Sequence, residues 1–153
     1  MKPTAHRMTM DINRIHLLLV EDDEDDAVVF RNLIDEIDNW HIDLDWAPTF
    51  KTALEKTYEN SHDLCMIDFR LGGKNGVDLI WMMKANGLNI PMIMLTGKAD
   101  RSIDLQAMAS GATAISSTAQ TRQNPADFVF ILRGRVKRPI RNKWTCSTML
   151  LPT

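Results

Sequence analysis

The sequence predicts an α/β domain, a parallel sheet held between two layers of helices. Two observations predict it. Short apolar runs alternate along the chain with segments whose apolar residues recur at helical spacing, the pattern of βαβ units. The connections between them are short, and right-handed crossovers then place helices on both faces of the sheet, giving three layers, αβα. The 153 residues suit one domain, and 44% apolar with 25% charged side chains is enough to bury a core.

The elements follow in order. Residues 15–20 (IHLLLV) read as a buried strand that stops at six consecutive acids, residues 21–26. From Ala27, the residues Ala27, Phe30, Leu33/Ile34 and Ile37 predict a helix ending near Asn39, with acids in its first turn suiting the helix dipole. Residues 41–47 alternate Ile42, Leu44 and Trp46 with polar neighbours, a strand with one drier face. A helix then runs from Pro48 and Thr49 to about Tyr58, with Phe50, Ala53 and Leu54 inward. The third strand is 64–67, ending on Asp68, and a Gly-rich loop spans 71–76. The third helix covers 77–85, with Leu79, Ile80 and Met83 inward and Gly87 as its C-terminal cap. Residues 91–95 (PMIML) are a fourth buried strand, closing on Thr96-Gly97. The helix expected over 100–110 has Ile103, Leu105 and Met108 spaced for a core face and Gly111 as cap.

Composition narrows the functional classes. No run approaches the roughly 20 apolar residues of a membrane span, so no membrane partner is expected. Residues 1–14 carry bases but no apolar core and read as a polar extension rather than a secretory signal. Cys65 and Cys146 are too few for a disulfide framework, and Cys65 in an apolar strand reads as a small core residue. A cytoplasmic protein is expected. Charge is asymmetric: residues 1–104 hold 19 acids against 11 bases, whereas 105–153 hold one acid, Asp127, against seven bases. Six of those bases fall within 133–143, which sets 133–153 apart as a basic irregular tail. It is too short for a helix-turn-helix output domain, so a nucleic-acid partner is disfavoured.

In a doubly wound sheet the strand carboxyl ends gather on one edge, where ligands bind. Three polar features meet there: Glu21, Asp22 and Asp23 after the first strand, Asp68 after the third and Thr96 after the fourth. Carboxylates sharing a pocket repel one another, and a divalent cation relieves this. Oxygen-only ligands with an incomplete shell favour Mg²⁺. A carboxylate beside such an ion can accept a phosphoryl group, and the Thr96 hydroxyl can hydrogen-bond it. The plainer readings are a solvated acidic helix start, a strand-ending Asp and a loop hydroxyl. Acids at separate strand ends, rather than in one run, favour the pocket.

The stretches LLLVEDDEDD, MIDFRLGGKNG and PMIMLTG resemble the three motifs of the response-regulator receiver domain of two-component signalling. The likeness covers about residues 15–113, within a receiver domain expected over 15–132. It implies a flavodoxin-like (βα)₅ fold. It implies that Asp68 is the phospho-acceptor and that a sensor histidine kinase or histidine phosphotransfer protein is the donor. By the same resemblance Glu21, Asp22, Asp68 and the backbone carbonyl of Arg70 hold Mg²⁺. Thr96 matches the switch hydroxyl, and Asp23 lies beside the pair as an electrostatic neighbour. An unidentified downstream protein and a weak homodimer complete the expected partners. The domain is expected to be regulatory rather than an enzyme.

The sequence leaves the family pattern at its fifth strand. Gly111-Ala112-Thr113 fits the approach, but the family's aromatic is replaced by Ile115, its Lys by Thr118 and the following Pro by Ala119. The missing ammonium would have made a charge-assisted contact of about 1.5–3 kcal/mol with the phosphoryl group. Lys98 and Arg70, in the motif loops, are candidate substitutes. Codons for 115–120 read one nucleotide earlier permit Asp-Phe-Ile-Asn-Arg-Pro, closer to the family ending, so a reading-frame slip near residue 114 is one hypothesis. Homologous DNA without an insertion or deletion there would sink it. Two other functions compete: a pseudo-receiver that binds partners without switching, and a metal-dependent phosphohydrolase. The second lacks the Thr of an Asp-x-Asp-x-Thr motif after the first strand, since Asp23-Glu24-Asp25 is followed by Asp26-Ala27.

Overall fold

A computed structural model describes residues 14–38, 40–59, 61–97 and 101–117. The elements, in order, are β1 (Arg14–Val20), α1 (Glu24–Asp35), β2 (His41–Ala47), α2 (Phe50–Glu59) and β3 (Leu64–Asp68). A short hairpin, β4 (Arg70–Leu71) and β5 (Lys74–Asn75), follows, then α3 (Gly76–Ala85), β6 (Met92–Thr96), α4 (Arg101–Ser110) and β7 (Ala114–Ser117). The main sheet has five strands in the order β2-β1-β3-β6-β7, and every pairing is parallel. The order reverses between β1 and β3, so a crevice opens at the carboxyl ends of those two strands.

The central strands are apolar through their middles because both faces are covered. Leu18, Val20, Cys65, Ile67, Met92 and Met94 pack on one face against Leu79, Ile80 and Met83 of α3. Ile15, Leu17, Leu19, Leu64, Met66, Ile93 and Leu95 pack on the other against Ala27, Phe30 and Ile34 of α1. Each fully buried Leu or Ile contributes about 1.5–3 kcal/mol over an exposed one. β2 lies at the edge of the sheet and alternates. Ile42, Leu44 and Trp46 join the second cluster, while Asp43 and Asp45 take the opposite parity.

The caps explain where helices begin and end. Asp23 caps α1 by accepting from the amides of Asp25 and Asp26, and Asn75 caps α3 by accepting from Asp78. The Thr49 hydroxyl accepts the Thr52 amide at 3.0 Å, so α2 starts at Phe50. Gly87 (φ +88°) and Gly111 (φ +112°) close α3 and α4 as expected. In each, the Gly amide and the next one reach back to carbonyls of the last turn.

Several expectations are corrected. Arg14, placed in the extension, is the first residue of β1 and donates to Asp43. α1 ends at Asp35, not near Asn39, which lies outside the described residues. The Glu36 amide turns back to Leu33 and Ile34, and Ile37 still packs on the core from beyond the helix. Leu105 and Met108 do not face the core: they are 63% and 53% exposed, and Ala107 and Ser110 are buried instead. The small stripe lets α4 sit close, with the Ser110 hydroxyl satisfied by the Ala107 carbonyl at 2.7 Å. The Gly-rich loop is the β4–β5 hairpin, turning at Gly72 (φ +63°) and Gly73. The expected last helix after Asn124-Pro125 and the segment boundary at 132/133 lie outside the described residues.

Candidate functional site

Glu21 follows directly from β1 and is 3% exposed. Its backbone is fixed twice: its amide donates to the Ala47 carbonyl at 3.1 Å, and its own carbonyl accepts the Trp46 indole N–H at 2.7 Å. Its Oε1 accepts the Asp23 amide at 3.1 Å. Asp22 is exposed, and its Oδ2 accepts the Gly72 amide at 3.0 Å, which ties the hairpin to the first loop. Asp68 ends β3, the neighbour of β1 in the sheet, and is half-buried. One carboxylate oxygen from each of Glu21, Asp22 and Asp68 lies within 4.8 Å of the others.

The electrostatics are those of a pocket of like charges. Burial pushes the Glu21 carboxyl up to about 8, helped by the Asp68 charge and opposed by the Asp23 amide. Burial likewise pushes Asp68 up to about 7, with the Asp22 charge adding to the rise and the amides of Arg70 and Phe69 opposing it. Among the described residues, no ion pair reaches any of the three. The donor set is all oxygen and strained by repulsion, which fits a hard divalent cation.

Thr96 is brought to the same edge. It ends β6, one residue beyond the Asp68–Leu95 register pair, and is 3% exposed. Arg70 begins β4, two residues past Asp68, with its side chain exposed. Asp23 is not part of the cluster, because its carboxylate is engaged as the cap of α1. Ile115 lies in β7 opposite Met94, half-buried against the first core cluster. Lys98 and Thr118 lie outside the described residues.

Two supports of the site were not legible beforehand. Gly76 starts α3 so close to the site that a Cβ there would sit 2.5 Å from the Asp68 carbonyl oxygen and 2.9 Å from the Ile67 side chain. The signal was present as a Gly directly after the cap residue Asn75. Trp46 looked like a core residue of an edge strand, and nothing in its spacing announced a bond to Glu21.

Fold and site together define the class: a flavodoxin-like doubly wound α/β domain with a carboxylate cluster at its topological switch point. A family model, the response regulator receiver domain, matches residues 17–117, and the chain belongs to this family. It is 30% identical over 89 residues to the two-component response regulator PhoP of Pseudomonas aeruginosa, covering 58% of this chain and 40% of that protein. It is 30% identical over 83 residues to the response regulator ArlR of Staphylococcus saprophyticus, covering 54% and 36%. The chain thus spans less than half the length of these curated relatives. Among solved structures, a putative response regulator from Chloroflexus aurantiacus superposes with a TM-score of 0.71 at 22% identity, covering 80% of this chain and 98% of that one. The receiver domain of Francisella response regulator 1452 gives 0.67 at 21% identity, covering 80% and 99%. Receiver domains are typically regulatory rather than enzymatic. Among the described residues, no helix is long and apolar enough to cross a membrane.

Proposed function

We propose that the chain is a phosphorelay response regulator that accepts a phosphoryl group on Asp68. The observation that carries this reading is the convergence of Glu21, Asp22 and Asp68 within 4.8 Å at the carboxyl edge of the sheet. The donor is the phosphohistidine of a sensor kinase or phosphotransfer protein. An Asp68 carboxylate oxygen attacks phosphorus, the P–N bond breaks, and the imidazole leaves and takes up a proton. Glu21, Asp22, Asp68 and the Arg70 carbonyl would hold Mg²⁺, which offsets negative charge on the transferring oxygens. The Thr96 hydroxyl donates to a phosphoryl oxygen once the group is in place. The Gly72 amide restrains Asp22 beforehand, and Gly76 keeps the helix start from displacing Asp68. Output passes through contact with a downstream protein.

The test is incubation of the full chain with acetyl phosphate and Mg²⁺, followed by intact mass. One phosphoryl group should be gained by the wild type and none by Asp68→Asn. No gain, or an equal gain in the variant, defeats the reading.

A second reading, a receiver that binds partners without switching, is favoured by Ile115. An aliphatic side chain half-buried against the core takes the place of the family's mobile aromatic. Hydrogen exchange over α4 and β7, with and without acetyl phosphate, separates the two. Altered protection supports the switch, and unchanged protection in a phosphorylated sample supports the binding module.

A further inference from the structure

A second group of metal-type donors, His16, Asp45 and His62, lies apart from the acidic pocket. His16 is the third residue of β1, Asp45 the fifth of β2, and His62 stands two residues before β3. We propose that His16, Asp45 and His62 form a second cation site, selective for a borderline-soft divalent ion of the Zn²⁺ class. One ligand atom from each lies within 4.8 Å of the others. Two imidazoles and one carboxylate are the donor set of open zinc sites, which leave a fourth position for water or an exogenous ligand. Mg²⁺ has no preference for such a set, so the two sites divide by chemistry.

The surroundings already order the donors. The His16 Nδ1 lies 2.8 Å from the Ser61 carbonyl, an acceptor only, so Nδ1 is the nitrogen that keeps a proton and Nε2 is the one left to ligate. This is the outer hydrogen bond by which metal-ligating histidines are oriented. Asp45 divides its oxygens. Oδ1 takes the Lys56 ammonium at 2.6 Å, and Oδ2 faces His62 Nε2 at 3.0 Å. Lys56 therefore occupies the oxygen the ion does not need. The His62 side chain is 1% exposed, and its ring packs on that of His16 with centroids 4.4 Å apart. The ring is thus held in place before any ion arrives.

Tetrahedral Zn²⁺ with bonds of about 2.0–2.2 Å holds its donors roughly 3.3 Å apart. The Asp45–His62 pair is near that spacing already, so binding needs a modest closure by His16, which is partly exposed. The ion takes the place of the Asp45 contact at His62 Nε2, and the neutral ring ligates through that nitrogen with its one proton on Nδ1.

The experiment uses the full chain, stripped with a chelator and titrated with Zn²⁺ against a chromophoric competitor in excess Mg²⁺. Co²⁺ in place of Zn²⁺ gives a visible absorption band that reports coordination. The expected result is one equivalent bound with a Kd of about 1 μM or tighter. His16→Gln, at a partly exposed position, should weaken it at least about tenfold and alter the Co²⁺ band, as should Asp45→Asn. Asp68→Asn should leave it unchanged. Far-UV circular dichroism checks that each variant is folded, and His16→Gln alone suffices if Asp45→Asn is not. The proposal is overturned if no ion binds more tightly than about 100 μM. It is equally overturned if His16→Gln binds like the wild type, which places the ion elsewhere, or if Asp68→Asn abolishes binding, which places it in the acidic pocket.

Discussion

Replacing Asp68 with Asn should stabilise the metal-free protein, although Asp68 is the residue proposed to carry the function. The folded state raises the Asp68 carboxyl from the ordinary 3.8 to about 7, through burial first and then the Asp22 charge. Between those values the folded protein holds a proton that the unfolded chain has lost, so stability falls as pH rises across the window. Asn cannot ionise and escapes this loss. It also removes a negative charge facing Glu21, itself raised to about 8. Each unit is worth about 1.4 kcal/mol, so the full window sets a ceiling of about 4 kcal/mol. Asp68 is partly exposed and shares its titration with its neighbours, which reduces the expected gain to roughly 1–2 kcal/mol. The assay is urea unfolding with a chelator present, at about pH 5 and about pH 8, analysed as two-state. The variant's advantage should be larger at the higher pH, and added Mg²⁺ should favour the wild type. A variant no more stable than wild type at the higher pH, or equally favoured at both, refutes the reasoning.

Three further outcomes are expected. Mg²⁺ must displace the protons on Glu21 and Asp68, so its affinity should rise with pH up to about 8 and then level off; a titration followed by Trp fluorescence, with Trp46→Phe as control, checks this, and a flat profile contradicts it. Gly76→Ala places a Cβ 2.5 Å from the Asp68 carbonyl, a backbone atom that cannot step aside, and should lower stability by about 1–3 kcal/mol in denaturant unfolding. Asp23→Ala removes the cap from α1 and should lower stability by about 1 kcal/mol while leaving phosphoryl transfer to Asp68 intact, measured by the same unfolding and mass assays.

The sheet was legible because its central strands are apolar on both faces, which makes runs such as Leu17-Leu18-Leu19 hard to mistake. The acidic pocket was legible because each of its acids stands at the end of such a run. α4 was misread for a physical reason. Periodicity offers two stripes on that helix, and the larger side chains, Leu105 and Met108, suggested the wrong one. Packing chose Ala107 and Ser110, since small residues allow close approach and Ser110 finds a partner within the helix. The hairpin escaped because two-residue strands carry no period, although Gly72-Gly73 is itself a turn signal. His16, Asp45 and His62 were invisible as a group. They come from three segments, and only the β1–β2 register and the turn into β3 bring them together.

The edge position of β2 has a consequence for self-association. Among the described residues its seven-residue backbone pairs only with β1, so its outer amides and carbonyls form a row that another chain could extend. His41, Asp43 and Asp45 stand at alternate positions along that row, and Arg14 and Lys56 anchor the two acids. A second copy approaching this edge meets its own charges repeated opposite each other. Asp43, with its side chain 43% exposed, is the acid placed to oppose such an approach. Neutralising Asp43 should first show itself as concentration-dependent association rather than as loss of fold.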